Sequence, residues 1–205
     1  MSCRVKICGI TNVEDARLAV LADADALGFV FYSNSPRYIT PDAANEIVAK
    51  LPPFVTPVAL FVDADPEEVL KVMMGSRRWV FQFHGNESRH DCERYGVPYY
   101  KALRMKPGLN VEDEVASYHS ASAILLDAYK PGVPGGTGET FDWQAIPDNL
   151  DIPIILAGGL TVGNVAQAVT SVRPYAVDVS GGVEYQKGKK APTKMNDFVR
   201  LAKSV

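Results

Sequence analysis

The sequence predicts an α/β fold in which a single domain, residues 1–205, forms a closed (β/α)8 barrel. Eight short apolar segments recur along the chain, amphipathic segments lie between them, and no linker or low-complexity stretch interrupts this alternation. Strands that alternate with helices usually pair in parallel through right-handed crossovers. Eight such units in 205 residues lie near the lower size limit of the barrel. An open, doubly wound sheet is the alternative.

The predicted strands are the most apolar segments of the chain. Several of them are almost continuously apolar, as at 124–126 and 154–156, which is typical of strands covered on both faces. We expect strands at 5–8, 26–31, 58–62, 79–84, 99–103, 123–127, 153–157 and 176–179.

The predicted helices follow from apolar spacing and from signals at their N-termini. Thr40-Pro41 and Asp65-Pro66 each put a capping side chain before a proline that suits the first helical turn. The segment 141–146 is short for a helix. Helices are expected near 12–22, 41–51, 65–73, from 86 onward, and near 111–119, 163–172 and 194–203.

Composition and charge argue against several classes of protein. The net charge is −3, so the chain lacks the basic excess of a nucleic-acid binder. No apolar stretch approaches the ~18 residues of a membrane span, and the N-terminal segment has no signal-peptide core, so we expect a cytoplasmic protein. Neither the three cysteines nor the three scattered histidines have the spacing of a disulfide framework or a metal site, so no metal is expected.

The candidate catalytic residues follow predicted strands, because barrels of this kind hold their active sites at the C-terminal strand ends. Lys6 and Cys8 alternate with Val5 and Ile7, so they share the face that points into the barrel. A cation near Cys8 favours the thiolate of a base or nucleophile, although a small buried cysteine is the alternative. Asp127 follows three apolar residues and suits a general acid if it stays protonated; a salt-bridged or capping aspartate is the alternative.

Further polar residues suggest how a substrate is held. Arg37 lies in a polar loop after the second strand and suits a carboxylate, unless it is an ordinary surface arginine. Gln82 and His84 share one face of the fourth strand, either as substrate contacts or as structural hydrogen-bonding partners.

Two glycine turns predict a phosphate site. Gly158-Gly159 follows the seventh strand and Ser180-Gly181-Gly182 follows the eighth, where barrels commonly bind phosphate through backbone N–H groups. A longer loop at 130–141 contains Gly135-Gly136-Thr137-Gly138 and is interpreted as a lid or a close-approach surface. It matches neither the Walker motif nor the dinucleotide-binding motif, which gives little support for NTP or dinucleotide binding.

Taken together, these motifs give the chain a family resemblance. It resembles the phosphoribosylanthranilate isomerases of tryptophan biosynthesis over nearly its whole length. The KICGIT motif, at 6–11 within the matching block 5–11, is specific because it occurs together with the other blocks at their proper spacing. The other matching blocks lie at 28–31, 35–39, 82–85, 125–127, 135–138, 141–143, 156–160, 164–165 and 177–184.

The resemblance implies a TIM barrel that needs no cofactor and catalyses an Amadori rearrangement of N-(5′-phosphoribosyl)anthranilate to 1-(2-carboxyphenylamino)-1-deoxyribulose 5-phosphate. It assigns Cys8 as the general base, Asp127 as the general acid and Arg37 as the residue near the anthranilate carboxylate. It implies a small phosphorylated substrate, no nucleic acid or membrane partner, and a monomer or homodimer. The remaining matches are polar positions facing the pocket, Gln82, His84 and Asp178, and the two phosphate turns.

The chain departs from the family pattern at two positions. The last phosphate turn is often Ser-Ser-Gly in the family, whereas here it is Ser180-Gly181-Gly182, which removes one hydroxyl. Ala191 stands where an aspartate commonly follows Lys190, which alters the capping of the last helix.

Three other functions stay open at this point. One is another phosphate-binding barrel isomerase of histidine or tryptophan biosynthesis, although the histidine-pathway isomerase calls for an acid where Cys8 stands. An indole-glycerol-phosphate synthase calls for a catalytic lysine, for which Lys101 is the available candidate. The third is a barrel that only binds a phosphorylated ligand, which would need neither Cys8 nor Asp127.

Overall fold

The structure, a computed structural model, describes residues 2–129 and 140–205. The glycine-rich motif Gly135-Gly136-Thr137-Gly138 lies outside the described residues. Within them, eight parallel strands pair in sequence order and close into a barrel, with the last strand beside the first. The strands are β1 (Arg4–Cys8), β2 (Ala26–Val30), β3 (Thr56–Phe61), β4 (Val80–Phe83), β5 (Tyr99–Met105), β6 (Ala123–Ala128), β7 (Ile154–Leu156) and β8 (Ala176–Val179). The closed barrel is confirmed over the open sheet.

Seven α-helices within the described ranges cover the outside of the barrel. They are α1 (Val13–Leu21), α2 (Pro41–Val48), α3 (Pro66–Gly75), α4 (Arg89–Glu93), α5 (Val111–Ser117), α6 (Val165–Val172) and α7 (Pro192–Lys203). The described part of the connection from β6 to β7 contains a 3-10 helix, Trp143–Ala145, in place of an α-helix.

The predicted helix starts are largely confirmed. Thr40 caps α2 with a hydrogen bond from the backbone N–H of Ala43 to its hydroxyl. Asp65 precedes α3 as predicted, but its side chain makes no capping bond. Ala191 precedes α7 and offers no side-chain cap, so Pro192 opens that helix by its fixed backbone angle.

Buried side chains form an outer layer and an inner one, as the alternation along the strands predicts. Val5 and Ile7 belong to the large cluster between strands and helices. Cys8 instead packs with Val30 and Leu60 at the mouth of the barrel. A small inner cluster fills the barrel below, with Ala102, Ala123, Leu125, Ile155, Ala157 and Ala176. The described side chains therefore pack the interior below the mouth of the barrel.

A short antiparallel hairpin, β9 (Glu184–Gln186) and β10 (Lys189–Lys190), lies between β8 and α7 and was not predicted. It brings Glu184 and Lys190, both buried, to the mouth of the barrel. No helix among the described residues is long and apolar enough to cross a membrane.

Candidate active site

A cavity of about 590 Å³ opens at the C-terminal ends of the strands. Because parallel strands all end at this face, residues far apart in sequence meet there. Ten of the predicted site residues line it: Cys8, Arg37, His84, Asp127, Gly158, Gly159, Asp178, Ser180, Gly181 and Gly182. Gln82 is fully buried below the cavity and is absent from its walls.

Lys6, Cys8 and Asp178 form a buried charged group where β1 meets β8. The Nζ of Lys6 donates to Oδ1 of Asp178 at 2.9 Å, and the two residues face each other in the strand register. Burial raises the pKa of the Cys8 thiol, the cation of Lys6 acts in the opposite direction, and Asp178 adds to the rise. Burial also opposes the charge on Lys6, but Asp178 and Cys8 hold its pKa above the usual value. Lys6 is therefore a cation beside the thiol.

The backbone of Gly28 makes room for this group. A Cβ at Gly28 would lie 2.7 Å from Sγ of Cys8 and 3.1 Å from Cε of Lys6. The carbonyl of Gly28 also accepts hydrogen bonds from the backbone N–H groups of Gly9 and Ile10, each at 2.9 Å. The neighbouring strand thus fixes the turn after Cys8 without crowding its side chain.

Asp127 ends a line of three buried polar side chains. The amide Nε2 of Gln82 lies 2.9 Å from Nδ1 of His84, and Nε2 of His84 lies 3.1 Å from Oδ2 of Asp127. The backbone N–H of Ala128 donates to Oδ1 of Asp127 at 2.9 Å. Each oxygen of the carboxyl group therefore has a hydrogen-bonding partner on the protein side, while Asp127 also lines the cavity.

Arg37 is held at the other side of the cavity by Glu184. Its Nε donates to Oε1 at 2.8 Å and its Nη2 donates to Oε2 at 2.9 Å. Lys190 also donates to Glu184 Oε1, at 2.9 Å, and to the backbone carbonyl of Ser180 at 3.2 Å. Burial alone would raise the pKa of Glu184, but hydrogen bonds from Arg37 and the charge of Lys190 hold it below the usual value. Glu184 is therefore an anion between two cations.

The two glycine turns pack against each other, and both require residues that have no Cβ atom. Gly158 and Gly159 have φ angles of +81° and +62°, which residues with a Cβ rarely adopt. A Cβ at Gly182 would collide with the carbonyl oxygen of Leu160. Asn164, just before α6, fixes the first turn because its Nδ2 donates to the carbonyl of Gly159 at 3.1 Å. The structure thus brings the two predicted phosphate turns together.

Ser180 contributes an unpaired hydroxyl to this region. Its Oγ is buried and has no hydrogen-bond partner among the residues that the structure describes. The residue lines the cavity, and a hydroxyl of this kind suits an anion.

A larger groove, of about 1020 Å³, lies on the outside of the barrel between the 3-10 helix Trp143–Ala145 and α6. None of the predicted site residues lines it. A three-residue 3-10 helix covers less of the barrel than an α-helix does, which leaves this gap. Size alone therefore does not identify the active site, because the smaller cavity contains the predicted catalytic residues.

No set of three or more histidine, cysteine, aspartate or glutamate side chains comes together as a metal site within residues 2–129 and 140–205. The groups that line the cavity are instead suited to moving protons and binding anions.

The sequence matches the family described as N-(5′-phosphoribosyl)anthranilate (PRA) isomerase over residues 5–201. The chain belongs to this family.

Individual PRA isomerases agree with the family match. The enzyme of this name from Marinomonas sp. (strain MWYL1) is 62% identical over 203 residues, 99% of each chain. The crystal structure of phosphoribosyl anthranilate isomerase from Thermotoga maritima has a TM-score of 0.90 and 41% identity, with 99% of this chain and 100% of that one covered. A PRA isomerase crystallised with reduced 1-(o-carboxyphenylamino)-1-deoxyribulose 5-phosphate has a TM-score of 0.87 and 39% identity, with the same coverage.

Two residues of this PRA isomerase site have no role that the sequence predicts. Glu184 and Lys190 fall in the hairpin after β8, outside any predicted strand end. The signal for Glu184 was its place in the last matching block, directly after the phosphate turn. The role of Lys190 had no signal in the sequence, because the backbone carbonyls of Cys8 and Ser180 and the carboxylate of Glu184 come within its reach only in the folded chain.

Proposed function

We propose that this protein converts N-(5′-phosphoribosyl)anthranilate to 1-(2-carboxyphenylamino)-1-deoxyribulose 5-phosphate, as a step of tryptophan biosynthesis. The observation that carries the proposal is that Cys8 and Asp127 line one cavity together with two glycine turns and Arg37. A base, an acid and two anion sites are what this cofactor-free rearrangement requires.

Asp127 acts as the general acid that opens the ribose ring. A proton passes from its carboxyl group to the ring oxygen, while the electron pair of the bond between C1′ and that oxygen leaves with the oxygen. The nitrogen lone pair forms a Schiff base with C1′. A positioned acid of this kind contributes roughly 10²–10⁴-fold to the rate.

Cys8 acts as the general base in the next step. The positively charged Schiff base makes the C2′ hydrogen acidic, so the thiolate of Cys8 can remove it and leave an enolamine. The enolamine then tautomerises to the ketone of the product. Lys6 stabilises the thiolate, since its charge is the strongest influence that acts against the burial of Cys8.

Arg37 and the glycine turns hold the two ends of the substrate. The guanidinium of Arg37 keeps N–H groups beyond the two that bind Glu184, and these suit the anthranilate carboxylate. Backbone N–H groups of the turns at Gly158-Gly159 and Gly181-Gly182 suit the phosphate. Holding both ends fixes the sugar between the acid and the base.

The alternative barrel enzymes fit the site less well. Lys101, the candidate lysine for an indole-glycerol-phosphate synthase, donates to the carbonyl of Gly85 and to Glu87 and lies over the ring of Tyr118, on the helix side of β5. It does not line the cavity. A histidine-pathway isomerase would need a carboxylate in place of the thiol of Cys8.

One assay tests the proposal. Phosphoribosylanthranilate is generated in the assay mixture. The loss of its fluorescence is then followed after purified protein is added. We expect turnover that depends on protein concentration. A folded protein that gives no turnover would reject the proposed function, and turnover of the corresponding histidine-pathway substrate alone would support the alternative.

We further propose that residues 1–205 act as one domain in the cytoplasm. The residues of the site run from β1 to the hairpin after β8, so neither half of the chain carries a complete site. The oligomeric state stays a prediction, monomer or homodimer, which light scattering of the purified protein measures.

A further inference from the structure

We propose that Gln82 is a positioning residue that sets the tautomer of His84 and thereby directs the proton of Asp127 into the cavity. This inference rests on the proposed function, in which Asp127 is the general acid. It differs from a direct substrate contact, one of the two roles predicted for Gln82 from the sequence, because Gln82 is fully buried and does not line the cavity.

The hydrogen bond between Gln82 and His84 determines which ring nitrogen of His84 can donate to Asp127. The amide Nε2 of Gln82 carries only hydrogen-bond donors, and it lies 2.9 Å from Nδ1 of His84. In this orientation of the amide, which leaves Oε1 of Gln82 without a partner among the described residues, Nδ1 is the acceptor and the hydrogen of the neutral ring is on Nε2. From there it is donated to Oδ2 of Asp127, 3.1 Å away.

Both protein-facing sides of the Asp127 carboxyl group are then occupied by donors. His84 donates to Oδ2 and the backbone N–H of Ala128 donates to Oδ1. A proton on Asp127 cannot point toward either donor, so it takes a position on the side that faces the cavity. That is the direction in which the ring oxygen of the substrate has to receive it.

The opposite tautomer of His84 would defeat this arrangement. With its hydrogen on Nδ1, the ring would present a bare Nε2 to Asp127, and the hydroxyl of the protonated carboxyl group would donate to His84 instead of to the substrate. A doubly protonated ring would be worse, since an imidazolium beside Asp127 favours the carboxylate, which has no proton to give.

The surroundings make the tautomer dependent on Gln82. Arg104 of β5 lies opposite Asp127 in the strand register, but its Nη2 donates to the backbone carbonyl of His84 at 3.0 Å and not to the ring. Both ring nitrogens of His84 are bonded to side chains, one to Gln82 and one to Asp127. A protonated Asp127 can either accept from Nε2 or donate to it, so Gln82 is the partner that selects between the two neutral forms while Asp127 carries its proton.

The test combines nuclear magnetic resonance with kinetics. In the wild-type protein, ¹⁵N chemical shifts of the His84 ring, assigned by their loss in His84→Gln, should show a neutral ring with its hydrogen on Nε2. In Gln82→Glu, an acceptor replaces the donor, so we expect the hydrogen on Nδ1 or on both nitrogens, together with a kcat lower by about tenfold or more and a nearly unchanged KM.

Two controls keep the test decisive. Tyr99→Phe removes a hydrogen bond to Ser120 from the neighbouring strand, outside the cavity, and measures the effect of losing a polar contact alone. If Gln82→Glu does not fold, the wild-type spectrum still decides, because a hydrogen on Nδ1 of His84 overturns the inference. A wild-type kcat in Gln82→Glu also overturns it, whereas an inactive wild-type protein rejects the proposed function instead.

Discussion

Arg37 and Glu184, 147 positions apart in the sequence, are joined by two parallel hydrogen bonds of 2.8 and 2.9 Å. Paired contacts of this geometry fix the plane of a guanidinium group as well as its position. Lys190 binds the same carboxylate, so Glu184 is not free to turn away. The orientation of the Arg37 guanidinium is thus fixed before substrate binds.

Replacing Glu184 by glutamine should weaken substrate binding. Gln keeps the shape but loses the charge and one of the two acceptors, so Arg37 would lose its fixed orientation. We expect KM to rise about three- to tenfold with a smaller change in kcat, measured by steady-state kinetics. Glu14→Gln, in an exposed pair with Arg17, is the matched control. Arg37→Ala should raise KM further, and an unchanged KM in that variant would place Arg37 outside the site.

Replacing Cys8 by alanine should remove the general base. We expect kcat to fall by roughly 10²–10⁴-fold, because alanine cannot take the C2′ proton. Thermal unfolding should change little, since alanine fills most of the space of a buried cysteine. Cys3→Ala removes another buried thiol, away from the cavity, and should keep full activity. Near-wild-type kcat in Cys8→Ala would show that the base is another group.

Replacing Asp127 by asparagine should remove the general acid while keeping the size of the side chain. The expected loss in kcat is again roughly 10²–10⁴-fold. Because ring opening comes first, a single-turnover experiment should show no Schiff-base intermediate in this variant. Accumulation of an opened intermediate would mean that Asp127 acts after ring opening, and its role would have to be reassigned.

Replacing Lys6 by methionine should shift the pH dependence of the reaction. Burial raises the pKa of Cys8 and Lys6 opposes that rise, so removing the cation should raise the pKa further. Since the base must be a thiolate, kcat/KM rises with pH through this pKa. We therefore expect its rising limb to move to higher pH and kcat/KM at neutral pH to fall. A limb that moves to lower pH would contradict the prediction.

The same variant leaves the carboxylate of Asp178 buried without its partner. Breaking a buried ion pair from one side costs about 3–5 kcal/mol of unfolding free energy. The double variant Lys6→Met with Asp178→Asn removes both charges and serves as the control for folding. The pH profile of the double variant then reports on the thiol in a site without this ion pair.

Adding a methyl group at Gly28 should disturb the thiol. The new Cβ would lie 2.7 Å from Sγ of Cys8, which is closer than unbonded atoms normally approach. We expect Gly28→Ala to lower kcat, because Cys8 must move or the strands must part. Gly163→Ala, where the nearest atom outside its chain neighbours is 3.7 Å away, is a control for glycine replacement in general. Equal activity of both variants would show that Cys8 tolerates displacement.

The strands, the barrel and the face that carries the site were predictable because they depend on local patterns. The alternation that puts Lys6 and Cys8 inside and Val5 and Ile7 outside is a two-residue period, readable within one strand. The predicted polar ends of six strands also meet at one cavity, which follows from parallel topology alone.

The pairings within the site were not predictable, because they join distant segments. Nothing near Arg37 in the sequence points to Glu184, and nothing near Gln82 shows that its side chain lies below the cavity. The hairpin β9–β10 is also too short, at three and two residues, to give a periodic signal. Side-chain partners of this kind appear only when the chain is folded.

The ion pair between Lys6 and Asp178 joins residues 172 positions apart and ties the first strand to the last. During synthesis the chain therefore carries its cysteine almost from the start but cannot give it a charged neighbourhood until β8 has left the ribosome. Activity should appear late and abruptly as the ring of strands closes. A nascent chain stalled before β8 would contain a thiol and an acid, yet no enzyme.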